Sequence, residues 1–210
     1  MSLAVLGGAM KVIGLTGGIG MGKSTAAAIF RRAQLPVFDA DACVHRLQAP
    51  GGAALPDIAR AFPGTVVAEG GRLALDRSAL RRLVLADPAA LRRLEAILHP
   101  MVRRAERAFL ARARRAGVPA AILDIPLLFE SGGAHRVDQV VVVSAPPGVQ
   151  RHRVGLRQRM DRAQIEAVIA RQMSDAEKRR RADLVVSTGL SRHHAQRILR
   201  RYIHSLRERR

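Results

Sequence analysis

One segment near the amino terminus constrains the fold more than any other part of the chain. The apolar run KVIGLT, residues 11–16, leads into GGIGMGKS, residues 17–24, whose last residue opens the stretch STAAAIFRRAQ. A short apolar run rich in β-formers predicts a buried strand, and the alanine-rich stretch predicts a helix. Residues 17–24 match G-x-x-x-x-G-K-[ST] in full, in the strand, loop and helix context that this motif requires. The chain is therefore predicted to be an α/β protein with a phosphate-binding loop.

The loop contains four glycines, which are Gly17, Gly18, Gly20 and Gly22. Glycine lets the backbone turn its N–H groups inward around phosphate oxygens, and the start of the following helix adds partial positive charge. In such a loop Lys23 reaches the β- and γ-phosphates, and the Ser24 hydroxyl binds Mg²⁺. The loop thus predicts a nucleoside triphosphate and Mg²⁺ as ligands. By itself it leaves GTPases, motors and small-molecule kinases open.

Length and composition predict one folded domain. A chain of 210 residues, 48% hydrophobic and 25% charged, can bury one core with small inserted lobes. No apolar segment approaches the length of about 20 residues that spans a bilayer. The single cysteine, Cys43, excludes an internal disulfide and is typical of a reducing compartment, so we expect a cytoplasmic location. We expect residues 1–9 to be an extension upstream of a natural start at Met10.

The charge of the chain permits two interpretations. Lys and Arg number 36 against 17 Asp and Glu, a net charge of +19, which is compatible with nucleic-acid binding. However, most of the excess is arginine interleaved with alanine, as in RRAERAFLARARRAG, a pattern typical of solvated helix faces. Aromatic residues make up 3% of the chain and provide few stacking platforms for bases. We therefore expect incidental attraction to polyanions and no dedicated nucleic-acid partner.

Further strands are predicted in LPVFDA, VPAAILDIP, RVDQVVVVSAP and ADLVVST. Nearly unbroken apolar runs are typical of strands buried on both faces, so a five-stranded parallel sheet flanked by helices is expected. Residues 10–210 then form one domain. Its core comprises about 10–41, 118–146 and 183–210, with an inserted helical lobe at about 42–117 and a helical lid at about 147–182.

Several helix ends can be placed from capping patterns. Asp87 followed by Pro88 predicts a helix start, with a break at Pro100 and an end at Gly117. In the lid, the pairs Asp161/Gln164 and Ser174/Glu177 have the spacing of a capping box. Residues 42–117 otherwise show little strand pattern.

Acidic side chains follow two predicted strands. Asp39 and Asp41 lie two residues apart in DADACVH, and strand alternation would place both on one side, beside the glycine loop if their strand neighbours the first. A kinase needs a carboxylate that accepts the proton of an attacking hydroxyl, together with polar groups around Mg²⁺. The alternative is that one of the two acids caps the next helix. Asp124 closes AAILD, where a Walker-B acid would bind the metal.

The lid segment is rich in arginine. Arg153 and Arg157 are four residues apart in QRHRVGLRQR, on one helix face, and could pair with phosphate oxygens. A single arginine in such a segment is more typical of a solvated surface than of a phosphate contact. We interpret the whole segment as a mobile lid.

Taken together, GLTGGIGMGKST, DADACVH, ILHPMVR, LDIPLLFE, QRHRVGLRQR and ARQMSDAEKRRRAD resemble the successive motifs of the dephospho-coenzyme A kinases. The resemblance runs from Lys11 to about Gly189, and DAD, LHP and PLLFE together are specific to that family. It implies transfer of the γ-phosphoryl group of ATP to the ribose 3′-hydroxyl of dephospho-coenzyme A, the last step of coenzyme A synthesis. The nearest alternative is a nucleotide or nucleoside kinase. A non-catalytic P-loop regulator or nucleic-acid-binding protein is a further one.

The resemblance also implies roles for individual residues. Residues 20–25, through Thr25, bind ATP phosphates, and Asp41 is the base toward the 3′-hydroxyl, with Asp39 in a supporting, substrate-linked or metal-linked role. His99 and Arg103 of ILHPMVR lie on the acceptor side, within a lobe that binds dephospho-coenzyme A. Among the lid arginines, Arg157 is the first candidate for the ATP phosphates and Arg153 the second.

Two departures from the family pattern affect these expectations. Met21 stands where serine or alanine is usual, and since that position contributes mainly backbone, we expect little effect. QRMDRAQ replaces the more regular lid sequence and leaves the register of the lid arginines open by one turn.

Overall fold

The chain folds into two compact units. The computed structural model describes residues 9–158, 162–170, 172–189 and 191–208. The larger unit comprises the chain up to residue 38 and from residue 112 onward, and the smaller one comprises residues 39–111.

The strands build one large sheet and one hairpin. In chain order they are β1 (Lys11–Thr16), β2 (Val37–Asp39), β3 (Val66–Glu69), β4 (Arg72–Leu75), β5 (Ala120–Asp124), β6 (Gln139–Ser144) and β7 (Leu184–Ser187). The large sheet has the strand order β2-β5-β1-β6-β7 and is parallel, which confirms the predicted α/β class. In its centre β1 pairs with β5 from Lys11↔Ala120 to Leu15↔Asp124, and with β6 from Ile13↔Gln139.

The helices are α1 (Lys23–Arg32), α2 (Ala40–Leu47), α3 (Leu55–Ala61), α4 (Arg77–Ala86), α5 (Pro88–Arg115), α6 (Pro147–Gln158), α7 (Arg162–Ala170), α8 (Asp175–Arg180) and α9 (Arg192–Glu208). The predicted cap at Asp87 is confirmed, since its carboxylate accepts from Ala89 N–H at 2.7 Å. Ser174 likewise caps α8 by accepting from Glu177 N–H at 3.2 Å. Asp161 lies outside the described residues. Within the described ranges, none of these helices combines the length and the apolar character needed to cross a membrane.

Alternate residues of the central strands pack in opposite layers of the larger unit. On one face of the sheet Val141 packs in a buried cluster with Phe30 of α1 and Leu199 of α9. On the other face Val142 packs with Leu128 from the segment after β5. The strands are apolar on both faces because helices or loops cover both.

The smaller unit contains a hairpin that the sequence interpretation missed. β3 and β4 pair antiparallel from Val66↔Leu75 to Glu69↔Arg72. The two residues between them, Gly70 and Gly71, have φ of 56° and 75°, as a tight type I′ turn requires. The signal was present in VVAEGGRLAL, where a glycine pair separates two short runs of β-forming residues.

The predicted helix break at Pro100 is wrong, because α5 continues from Pro88 to Arg115 with Pro100 inside it. An interior proline costs about 3 kcal/mol through a lost hydrogen bond and a steric clash. Tertiary packing offsets this cost, since Leu94 and Leu98 before the proline and Leu110 after it are buried. The sequence pattern alone does not predict how deeply these leucines are buried.

A buried ion pair attaches α8 to the segment after β5. Lys178 is fully buried, and its Nζ lies 2.8 Å from Glu130 Oε1. The same oxygen accepts from Met173 N–H at 3.0 Å. Burial by itself would raise the pKa of Glu130, but the hydrogen bonds from Lys178 and the backbone, with the charge of Lys178, outweigh it and hold the pKa below its ordinary value. The Glu130 carboxyl group is therefore ionised at neutral pH.

We expect the two halves of this pair to differ in their effect on stability. Glu130→Gln should lower the free energy of unfolding by about 3 kcal/mol, because it leaves a buried ammonium without a counter-charge. Lys178→Met should cost less, because the Glu130 side chain is 22% exposed and water can hydrate it. Urea denaturation at pH 7 measures both, and an equal or larger cost for Lys178→Met would contradict the interpretation.

The same pair predicts a pH dependence. Because folding lowers the pKa of Glu130, the resulting stabilisation is complete above the ordinary value of 4.5 and is lost as the pH falls through the folded value. Wild type should therefore lose more stability on acidification below 4.5 than Glu130→Gln does. Denaturation curves collected from pH 7 to pH 3 test this difference.

Candidate active site

The loop between β1 and α1 depends on glycine at two positions. Gly20 and Gly22 have φ of 76° and 91°, in the left-handed region that favours glycine. A Cβ on Gly20 would lie 2.8 Å from a methyl carbon of Val154 and 2.9 Å from the carbonyl oxygen of Gln150. Any side chain there would displace the loop from α6.

The structure brings the loop lysine and Asp124, the predicted Walker-B acid, together. Lys23 is the first residue of α1, and its Nζ lies 2.5 Å from Asp124 Oδ1. The two side chains are 19% and 4% exposed. The β1–β5 register causes this contact, because it aligns Asp124 with Leu15, two residues before the loop. A triphosphate entering the loop would offer Lys23 a second anionic partner.

The acids of DADACVH occupy different kinds of position. Asp39 ends β2 and caps α2, with its Oδ1 accepting from Ala42 N–H at 2.8 Å. Asp41 lies in the first turn of α2 and is exposed. The strand-alternation argument for the pair was wrong, because the chain changes from strand to helix between them. The capping alternative holds for Asp39.

The condition under which both acids would lie beside the loop is not met, since β5 lies between β2 and β1. In a parallel sheet, the carboxyl ends of neighbouring strands lie at the same edge. Asp124 at the end of β5 is therefore the acid directly beside the loop.

His99 and Arg103 lie four residues apart on α5, and so on one face of that helix. His99 is exposed and Arg103 is half-buried. Both belong to the smaller unit.

Arg153 on α6 contacts the protein through both terminal nitrogens. Its Nη2 donates to the Thr188 carbonyl at 2.8 Å, and its Nη1 donates to Thr188 Oγ1 at 3.1 Å and to the Gly20 carbonyl at 3.4 Å. Arg157 lies one turn further along the same helix, and its side chain is outside the described part of the structure.

Three polar residues that the sequence interpretation missed contact the loop backbone. Gln150 Nε2 donates to Ile19 O at 2.9 Å, and Gln172 Oε1 accepts from Ile19 N–H at 3.0 Å. Thr188 Oγ1 donates to Met21 O at 2.6 Å. None of the three lies in a recognisable spacing with the loop, and no sequence signal would have found them.

Met21 contributes more than backbone, which contradicts the reason given for expecting little effect from this residue. Its side chain is 2% exposed and packs in the cluster formed by β1, β6, α1 and α9. Its sulfur accepts from Ala145 N–H at 3.0 Å. The loop is thereby anchored in the core of the larger unit.

We expect Met21→Ala to lower the free energy of unfolding by about 2 to 5 kcal/mol, the range for truncating a buried methionine to alanine. Met21→Leu conserves the volume and loses only the sulfur acceptor, so it should cost less than about 1.5 kcal/mol. Chemical denaturation of the two variants checks the order. A wild-type midpoint for Met21→Ala would show that the side chain is dispensable.

The donor groups around the loop are compatible with Mg²⁺. No cluster of three or more His, Cys, Asp or Glu side chains suited to a metal ion exists within the described ranges. Mg²⁺ does not need one, because it takes one or two carboxylates and completes its shell with phosphate oxygens and water. The Asp124 carboxylate and the Ser24 hydroxyl provide such a partial donor set.

Comparisons with known proteins match most of the chain to one family. The family model described as dephospho-CoA kinase matches residues 11–193. A dephospho-CoA kinase of Gluconobacter oxydans is 53% identical over 203 residues, 95% of this chain and 99% of the relative. The crystal structure of TT1252 from Thermus thermophilus is 38% identical with a TM-score of 0.81, and covers 94% of this chain and 97% of that chain. A dephospho-CoA kinase from Campylobacter jejuni, 21% identical with a TM-score of 0.70 over 94% and 97% of the chains, supports the fold.

Proposed function

Since this chain belongs to the dephospho-CoA kinase family, we propose that its loop, Asp124 and Asp41 direct the phosphorylation of the ribose 3′-hydroxyl of dephospho-CoA by ATP. The family reaction is the last step of coenzyme A synthesis, with ATP as co-substrate. The observation that carries the proposal is the Lys23–Asp124 contact at the mouth of a glycine loop, in a chain whose family match spans residues 11–193.

On the donor side, the loop N–H groups, Lys23, Ser24 and Thr25 bind the ATP phosphates. Lys23 moves from Asp124 toward the β- and γ-phosphates, and Ser24 and Asp124 would hold Mg²⁺. When bound, Mg²⁺ neutralises charge on the phosphate oxygens. Asp39 positions the first turn of α2, because its Oδ1 is already engaged as the helix cap.

On the acceptor side, Asp41 accepts the proton of the 3′-hydroxyl and orients that oxygen toward the phosphorus. Residues 42–117 serve as the acceptor-binding lobe, with His99 and Arg103 among the contacts to dephospho-CoA. Residues 147–182 serve as the lid, in which Arg157 and Arg153 balance phosphate charge and closure excludes water. The reaction takes place in the cytoplasm.

Asp41→Asn tests the proposed base. We expect the turnover number to fall by about 10² or more, the range for losing a general base, while the affinity for ATP changes little. Glu208→Gln is the matched control, because it removes the same charge from an exposed position on α9, outside the residues proposed to bind either substrate. Near-normal turnover by Asp41→Asn would assign the base to another residue.

An acceptor panel tests the proposed substrate. ATP consumption is measured with dephospho-CoA and with a set of nucleosides and nucleoside monophosphates. We expect dephospho-CoA to be phosphorylated at its 3′-hydroxyl with the highest kcat/KM. Equal or better use of a nucleotide acceptor would instead support a nucleotide kinase.

A further inference from the structure

Two peptide groups of the glycine loop are held by side chains that lie far away in the sequence. Gln150 Nε2 donates to Ile19 O at 2.9 Å, and the partners are 131 residues apart. Thr188 Oγ1 donates to Met21 O at 2.6 Å across 167 residues. Both donors contact the backbone, so they act whatever side chain stands at positions 19 and 21.

These contacts determine which way the neighbouring N–H groups point. The structure has no cis peptide bond in its described ranges, and in a trans peptide the C=O of one residue and the N–H of the next point in opposite directions. A donor on Ile19 O therefore directs Gly20 N–H to the other side, and a donor on Met21 O does the same for Gly22 N–H. Between them, Met21 N–H donates to Gly18 O at 3.1 Å and closes the turn.

Glycine makes this external control necessary. Gly20 and Gly22 lack a Cβ and have a wider range of allowed backbone dihedrals than other residues, so the loop sequence alone does not select one peptide orientation. A loop of this kind binds phosphate only when its N–H groups face the ligand. Fixing them before binding removes an ordering cost from the binding free energy.

The surrounding contacts define the hydrogen-bond directions. Arginine only donates, so Thr188 Oγ1 accepts in the Arg153 contact at 3.1 Å. The single hydroxyl proton is then available to Met21 O at 2.6 Å, which is the nearer acceptor, since Ser144 O lies at 3.4 Å. The backbone partners also define how the side-chain amides of Gln150 and Gln172 are oriented. A carbonyl oxygen can only accept, so Gln150 presents its NH₂ group to Ile19 O. An N–H group can only donate, so Gln172 presents its oxygen to Ile19 N–H. Gln150 is 7% exposed, so water is a poor substitute for its amide.

We propose that Gln150 and Thr188 are positioning residues that hold the empty loop with the N–H groups of Gly20 and Gly22 facing the phosphate site. Arg153 orients Thr188, and Gln172 steadies the Ile19 peptide from its other side. The inference rests on the proposed binding of ATP phosphates by the loop. It predicts that loss of either donor weakens the binding of ATP and ADP and leaves the KM for dephospho-CoA near its wild-type value.

The first test compares Thr188→Val with Thr188→Ser. Valine keeps the shape and loses the hydroxyl, so the Kd for ATP and for ADP should rise about 10-fold, as expected for one buried hydrogen bond. Serine keeps the hydroxyl and should stay within about 2-fold of wild type. Titration calorimetry without acceptor measures both constants. Wild-type nucleotide affinity in a folded Thr188→Val variant would overturn the role of Thr188.

The second test uses the same chemical change at two positions. Gln150→Glu removes the donor to Ile19 O, whereas Gln172→Glu keeps an acceptor for Ile19 N–H, and both add one negative charge. We expect Gln150→Glu to weaken ATP and ADP binding at least about 10-fold and Gln172→Glu to weaken it much less. Equal losses would attribute the effect to charge and overturn the role of Gln150. This comparison also decides the proposal if Thr188→Val does not fold.

Failure of the inference can be told apart from failure of the proposed function. If wild type phosphorylates dephospho-CoA and both donor variants keep wild-type nucleotide affinity, only the positioning role is wrong. If wild type neither binds ATP nor turns over dephospho-CoA, the proposed function and the inference are both wrong.

Discussion

The parallel register between β1 and β5 is the constraint on which the donor half of the site depends. It aligns Leu15 with Asp124, so the glycine loop and the acid leave the sheet at the same edge. Because Lys23 is the first residue of α1, its Nζ then lies 2.5 Å from Asp124 Oδ1. Because hydrogen bonds along both strands maintain this register, the distance between the cation and the carboxylate is set by the sheet rather than by the loop.

The conformation of the loop depends on more than the residues of its motif. Its turns need the left-handed conformations of Gly20 and Gly22, and the same freedom leaves the peptide orientation undetermined locally. Two kinds of contact provide the missing restraint: the side chain of the loop residue Met21 is buried in the core, and polar side chains after β6 and β7, outside the loop, donate to its backbone. The catalytic geometry of such a loop is thus a property of the whole larger unit.

The elements that were predictable from sequence share a local cause. Strands β1, β5 and β6 follow from apolar runs, and the caps at Asp87 and Ser174 follow from side chains that reach the nearest free N–H groups. The β3–β4 hairpin was readable in principle from its glycine pair. The predicted helix break at Pro100 was wrong because the local cost of an interior proline is outweighed by burial of leucines on the same helix.

The sequence by itself determined the fold class, the phosphate-binding loop and the family resemblance, because each is encoded in residue types at short, regular spacings. Only the tertiary structure decided that β5 separates β1 from β2, that Asp39 is a helix cap, and that Gln150, Gln172 and Thr188 hold the loop backbone. The loop contacts join residues 131 to 167 positions apart, through backbone atoms that every residue carries. Spacing contains no information about such pairs, and they exist only once the sheet has brought the segments together.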